Sequence, residues 1–220
     1  MRRTLVPLLS TRGVVLWGAM LIAVALVIVS LALSPKKADA ATKLVTKSFS
    51  NTHLITIPEG APGATVGAAL PYPSNITASF PAGSKVKDVN VVLRNYTHTF
   101  PDDVDVLLVH RGTNRTIMSD VGDNNDVNNI TIALDDEASN GHLPDEGQLV
   151  GGTFQPTNAE GSDTFDFPAP NPASASDSLS GFDGLLTAKA WKLFVDDNGN
   201  GDFGRFGGGW TIKIRAAVPQ

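Results

Sequence analysis

From residue 72 onward, short apolar runs alternate with polar positions, and each run stops at a cluster of Gly, Pro, Asn or Asp. Ile130, Ile132 and Leu134 alternate with Thr131 and Ala133; Trp210, Ile212 and Ile214 alternate with Thr211, Lys213 and Arg215. A period of two puts one face of an extended strand into a core and leaves the other polar. Residues 86–93 repeat the pattern, with Val86, Asp88, Asn90 and Val92 on one side and Lys87, Val89, Val91 and Leu93 on the other. Strands are predicted over 74–80, 86–93, 104–110, 115–118, 129–134, 191–195 and 210–215. No segment after residue 40 sustains a helical stripe. The chain therefore reads as all-β, a jelly-roll β-sandwich.

Residues 43–49 and 52–57 carry weaker strand patterns, and Pro58, Gly60, Pro62 and Gly63 then interrupt regular structure. Residues 41–67 are read as a lead-in and residues 68–216 as the sandwich. Residues 155–183 are rich in Pro, Ala, Ser, Asp and Gly, with Phe154, Phe165, Phe167 and Phe182 spaced around and through them. This is the pattern of a long surface crossover pinned by its phenylalanines. A linker between two domains is the alternative, but the two strands after it are too few for a second core.

The first 40 residues change the setting. Arg2, Arg3 and Arg12 precede an uncharged run over 14–33, and Ala38-Asp39-Ala40 offers small residues at the positions read by a signal peptidase. Export cores usually run about 7–15 residues, whereas about 20 span a bilayer. Residues 1–40 thus read as a signal peptide or as an N-terminal membrane anchor. The arginines keep the N-terminus in the cytoplasm and place the remainder outside in either case. The expected location is secreted or extracellular, or held at the membrane by that segment alone.

Charge and cysteine then exclude classes. The leader holds five of the 17 Lys and Arg and one of the 22 Asp and Glu, leaving 12 basic and 21 acidic side chains, a net charge of −9. Such a surface repels nucleic acid and anionic lipid. With no cysteine there is no disulfide framework and no thiol chemistry. Of the four histidines, none pairs with another at i, i+4, and no serine lies in a G-x-S-x-G elbow, so zinc and serine-hydrolase signatures are lacking.

Calcium is the chemistry the acidic clusters suggest. Asp196, Asn198, Asn200 and Asp202 place side-chain oxygens at alternate positions of a D-x-N-x-N-G run, the opening half of an EF-hand loop. Gly207 stands where that loop would have its bidentate glutamate, so an EF-hand is excluded, and an Asx- and Gly-rich turn explains the same residues without a metal. Asp102, Asp103 and Asp105 form a second cluster; Asp120, Asp123 and Asp126 form a third. Close aspartates repel unless solvated or bridged by a cation. N-x-T sequons occur at Asn75, Asn95, Asn114 and Asn129, where strand threonines account for them as well as glycans do.

The run from His98 through Pro101, Asp102, Asp103 and Asp105 to Val109 resembles the "H…D-L-x-I-x-L" strand of the P domain (Homo B domain), which follows the catalytic domain in subtilisin-class proprotein convertases. Residues 178–184 resemble its "L-x-x-F-x-G" segment. Residues 191–197, 201–204 and 209–214 resemble its closing pattern of two tryptophan strands around G-D-x-G. The matches keep the family's order from about Leu70 to Arg215. Two departures are Lys189-Ala190, where glycine usually approaches Trp191, and the long acidic run that includes Asp105. The resemblance implies a jelly roll with Trp191 and Trp210 in its core, and a module that stabilises a neighbouring protease without cutting peptides; some members bind calcium. The expected function is a non-catalytic extracytoplasmic module for interaction or stabilisation, its partner a protein or cell-surface component. A glycan-binding jelly roll and an accessory part of a secreted subtilisin-like protease are the alternatives.

Overall fold

The computed structural model describes residues 41–161 and 163–220; the predicted export segment lies outside the described residues. Among the described residues, thirteen strands form two sheets. The larger is centred on β5 (Lys85–His98). On one side of β5 run β13 (Trp210–Pro219) and β12 (Gly204–Phe206), with β1 (Thr42–Asn51) outside β13 and β2 (Ile55–Ile57) outside β12. On its other side lie β8 (Val127–Leu134) and then β9 (Gly152–Phe154). The smaller sheet has β6 (Val104–His110) and β11 (Ala190–Asp197) at its centre. Outside β6 stand β7 (Thr113–Ser119) and β10 (Thr157–Asn158); outside β11 stand β3 (Gly67–Ala68) and β4 (Ser74–Thr77).

The expected lead-in belongs to the larger sheet. β1 pairs with β13 over ten registered residues, and Ile55 and Ile57 of β2 are fully buried in the shared core. The alternation predicted for residues 86–93 also needs a correction. Val86 is buried with Val89, Val91 and Leu93, because the β5–β13 register slips between Arg215 and Ala216, so that Arg215 pairs with Asp88 and Ala216 with Val86. One unpaired residue, Lys87, reverses the side-chain parity and brings Val86 back to the core face.

The main core fills the space between the sheets. Trp191, Leu193 and Val195 point into it from β11, and Trp210, Ile212 and Ile214 from β13; both tryptophans are fully buried. β6 is buried at every position, Asp105 and His110 included, because both its faces are covered. Val104, Val106 and Leu108 face the main core, while Leu107 and Val109 join Phe165, Ala169 and Phe194 in a second cluster. The crossover supplies that outer cover through Phe165. Phe182 is buried in the main core and Phe154 packs against it, but Phe167 is 93% exposed and pins nothing.

Candidate metal centre

Antiparallel and parallel pairing bring four strand ends to one edge of the smaller sheet. β6 begins where its antiparallel neighbours β7 and β11 end, and β10, parallel to β7, ends there too. One position beyond the Val106–Met118 pair lie Asp105 and Ser119. Asp120 follows Ser119 directly, with the left-handed backbone (φ 53°) that ends the strand. The chain then returns from β10 with Asp163.

Carboxylate oxygens of Asp105, Asp120 and Asp163 lie within 4.8 Å of one another, a spacing that one metal ion spans. Asp105 is buried, the other two partly so. The Ser119 hydroxyl sits among them, 2.6 Å from Asp105 Oδ1, 2.8 Å from Asp120 Oδ2 and 2.9 Å from Asp163 Oδ1. A hydroxyl carries one proton, so it donates to one carboxylate at a time while its lone pairs face the others. Protons on the carboxylates or a cation between them would resolve that conflict. Asn198 donates to Asp105 Oδ2 (3.0 Å) and Asn158 to Asp163 Oδ2 (3.1 Å), which orients the two carboxylates.

The electrostatics follow from burial without countercharge. Desolvation pushes the Asp105 carboxyl up to about 8; the charges of Asp163 and Asp120 add to this, and the bonds from Ser119 and Asn198 oppose it. Asp163 is also raised, by burial first and by Asp120 second among the raising effects. Among the described residues the one contact between a basic side chain and a carboxylate at salt-bridge distance is His98 Nε2–Asp197 Oδ2 (3.1 Å), elsewhere on this edge. An open depression of about 290 Å³, lined by Asp120, Glu160, Asp163, Thr164 and Asn198, gives access from solvent. An all-oxygen donor set with carboxylates suits a hard divalent cation.

The four residues of the predicted 196–202 loop point to separate partners. Asp196 is held on β11, where its Oδ2 accepts from the Asp166 main-chain N–H (2.9 Å) and the Tyr72 hydroxyl (3.3 Å). Asn198 binds Asp105, Asn200 Oδ1 accepts from Thr65 (2.8 Å), and Asp202 Oδ1 accepts from Thr99 (2.9 Å). The strand ladder, continuing to Asp197, prevents the loop from curling around a point as an EF-hand does. The second cluster divides as well. Asp105 enters the centre just described; the Asp102 carboxyl is raised by burial and then by Asp120. Asp103 turns toward the β11–β12 loop, its carboxyl pushed up to about 6 by burial, then by Asp197 and Asp202. Of the third cluster, only Asp120 reaches the centre, while Asp126 is exposed.

Sequence reasoning missed Ser119 and Asp163. Asp163 stands alone in the crossover, 58 positions after Asp105 and 43 after Asp120 in the numbering, and no local spacing links them. Trp191 and Trp210 offer no binding surface: Trp210 donates to Ser74 Oγ (3.0 Å) inside the core, and Trp191 stacks on His110 with ring centres 3.9 Å apart. Comparison of the chain with family models, with characterised proteins and with solved structures gave no match.

Proposed function

We propose that this chain is a non-catalytic, exported module of the P-domain kind, a jelly roll that holds calcium and serves protein interaction or stabilisation outside the cytoplasm. The observation that carries the calcium reading is the convergence of Asp105, Asp120 and Asp163 on the single Ser119 proton. Calcium accepts six to eight oxygens in irregular geometry, so three carboxylates, a hydroxyl and water suit it better than they suit magnesium.

The P-domain reading is supported by the order of the quoted motifs and by the burial of both tryptophans. The jelly-roll reading is supported by the path of the chain, which crosses from β5 in the larger sheet to β6 and β7, back to β8 and β9, across again to β10 and β11, and returns to β12 and β13. The non-catalytic reading is supported by what the two buried histidines do. His98 is buried and spends its nitrogens on Phe100 and Asp197; His110 is buried against the carbonyls of Leu186 and Ala190. Export rests on the leader sequence, and the partner is an extracytoplasmic protein or cell-surface component.

Thermal melting tests the metal reading. Calcium should raise the melting temperature of the protein relative to EDTA, and Asp163→Asn should remove most of that rise. Equal melting temperatures in EDTA and millimolar calcium would reject it.

A further inference from the structure

We propose an anion pocket, at the end of the smaller sheet opposite the Asp105 centre, that takes a carboxylate of an acidic peptide segment through Arg111, Lys189 and Lys192. It names the partner chemistry of the interaction module and rests on that reading. The three side chains line one depression of about 350 Å³, completed by Val109, Gly112 and Ala190. All three are exposed, and among the described residues no carboxylate stands at salt-bridge distance from any of them. After residue 40 the chain has 12 basic side chains against 21 acidic ones, so three cations around one pocket without a counterion run against the rest of the surface.

The backbone gives a second, independent indication. β6 and β7 are joined by Arg111 and Gly112, a two-residue turn closed by the His110–Thr113 pair, and both residues are left-handed (φ 53° and 88°). Such a turn favours Asn or Gly at its first position, so an arginine there is strained. Lys189, just before β11, has φ 90°, a conformation natural to glycine. Among the described residues, six other than glycine are left-handed; four are Asn or Asp, which tolerate it, and the remaining two are Arg111 and Lys189. Both border the same depression. Strain that glycine would relieve, kept at two basic residues of one pocket, marks side chains retained for binding.

The strands set the geometry. Arg111 Nη1 donates to the Ala188 carbonyl (3.1 Å), which ties the turn to the segment carrying Lys189. A guanidinium has several N–H donors and this bond uses one, leaving others for a carboxylate. Lys192 is registered against Val109 in the β6–β11 ladder, so both lie on the outer face, where Val109 joins the second apolar cluster. Cations around an aliphatic floor suit a carboxylate on a short apolar stem. A phosphate polymer needs a longer cationic track, and a domain whose acidic side chains outnumber its basic ones repels it.

Fluorescence anisotropy at low salt tests the pocket, with a labelled leucine-glutamate-glutamate-leucine peptide blocked at both ends and its glutamine counterpart as probes. The full chain should bind the glutamate peptide, ignore the glutamine one and release the former as salt rises. Arg111→Gln/Lys189→Gly/Lys192→Gln, checked for folding by near-ultraviolet circular dichroism, should weaken binding about tenfold. Lys189→Gly alone should weaken it while the melting temperature stays level or rises, because glycine relieves the backbone. Equal binding of the two peptides, no binding by the folded wild type, or unchanged binding in the triple variant would overturn the pocket. Calorimetric uptake of inorganic phosphate without binding of the glutamate peptide would overturn its assignment to carboxylates. The calcium-induced rise in melting temperature, which depends on Asp163 at the opposite end, should be the same in the triple variant and the wild type. Failure of the pocket and failure of the calcium-holding module are thus read separately.

Discussion

Asp105 is buried beside Asp163 and Asp120, and this burial, opposed by the bond from Ser119, fixes the expected pH response. The Asp105 carboxyl titrates near its ordinary value of 3.8 when the chain is unfolded, and near 8 in the fold. Between those values the folded protein holds a proton that the unfolded chain has released. The stability tied to that proton is fully present below about pH 3.8 and is lost as the pH rises through about 8. Asp163, also raised, acts in the same direction. In EDTA, urea midpoints should therefore fall from pH 5 to pH 8, and Asp105→Asn should flatten the slope; midpoints that rise over this window would contradict the raised carboxyl. Trp210 tests a different residue-scale claim. It is fully buried with its indole N–H on Ser74, so Trp210→Ala should cost about 3–5 kcal/mol in denaturant unfolding. A cost below about 1 kcal/mol would mean the core does not depend on it.

Among the elements, β13 was legible in the sequence because one face meets the core along its whole length, so Trp210, Ile212 and Ile214 keep a strict period of two. β5 was legible as a strand, but its facing near Val86 was not. A bulge is a local backbone choice, and nothing in the side chains around Lys87 announces it. The 196–202 loop illustrates the opposite failure: its oxygen-bearing spacing is visible in the sequence, but the β6–β11 ladder that holds Asp196 and Asp197 in extended form is not. Asp163 was hidden because long-range pairing of β10 with β7, and not sequence spacing, delivers it to Ser119. The crossover is anchored by Phe165 on the outer face of β6. Phe165→Ala should cost about 3–5 kcal/mol and expose residues 159–173 to faster proteolytic nicking, read by mass spectrometry of the fragments. Unchanged cleavage would show that the second apolar cluster does not hold the crossover.

At the scale of the whole molecule, acidic side chains exceed basic ones by nine after residue 40, and strand ends gather several of them on one edge. That edge is where a cation would act as a cross-link between β6, β7 and the crossover, elements brought together only by folding. An ion that binds the fold and not the unfolded chain stabilises it by about 2.7 kcal/mol at a hundredfold excess over its dissociation constant. The purified protein should lack peptidase activity toward casein and fluorogenic peptides; turnover that disappears when one of its own serines is replaced would overturn the non-catalytic reading. The most direct measurement is the melting temperature of the wild type and of Asp163→Asn, each in EDTA and in millimolar calcium. The account predicts a clear rise with calcium in the wild type and little or none in the variant. The same melting temperature in all four samples, or an equal rise in both proteins, would contradict a calcium centre at Asp105, Asp120 and Asp163.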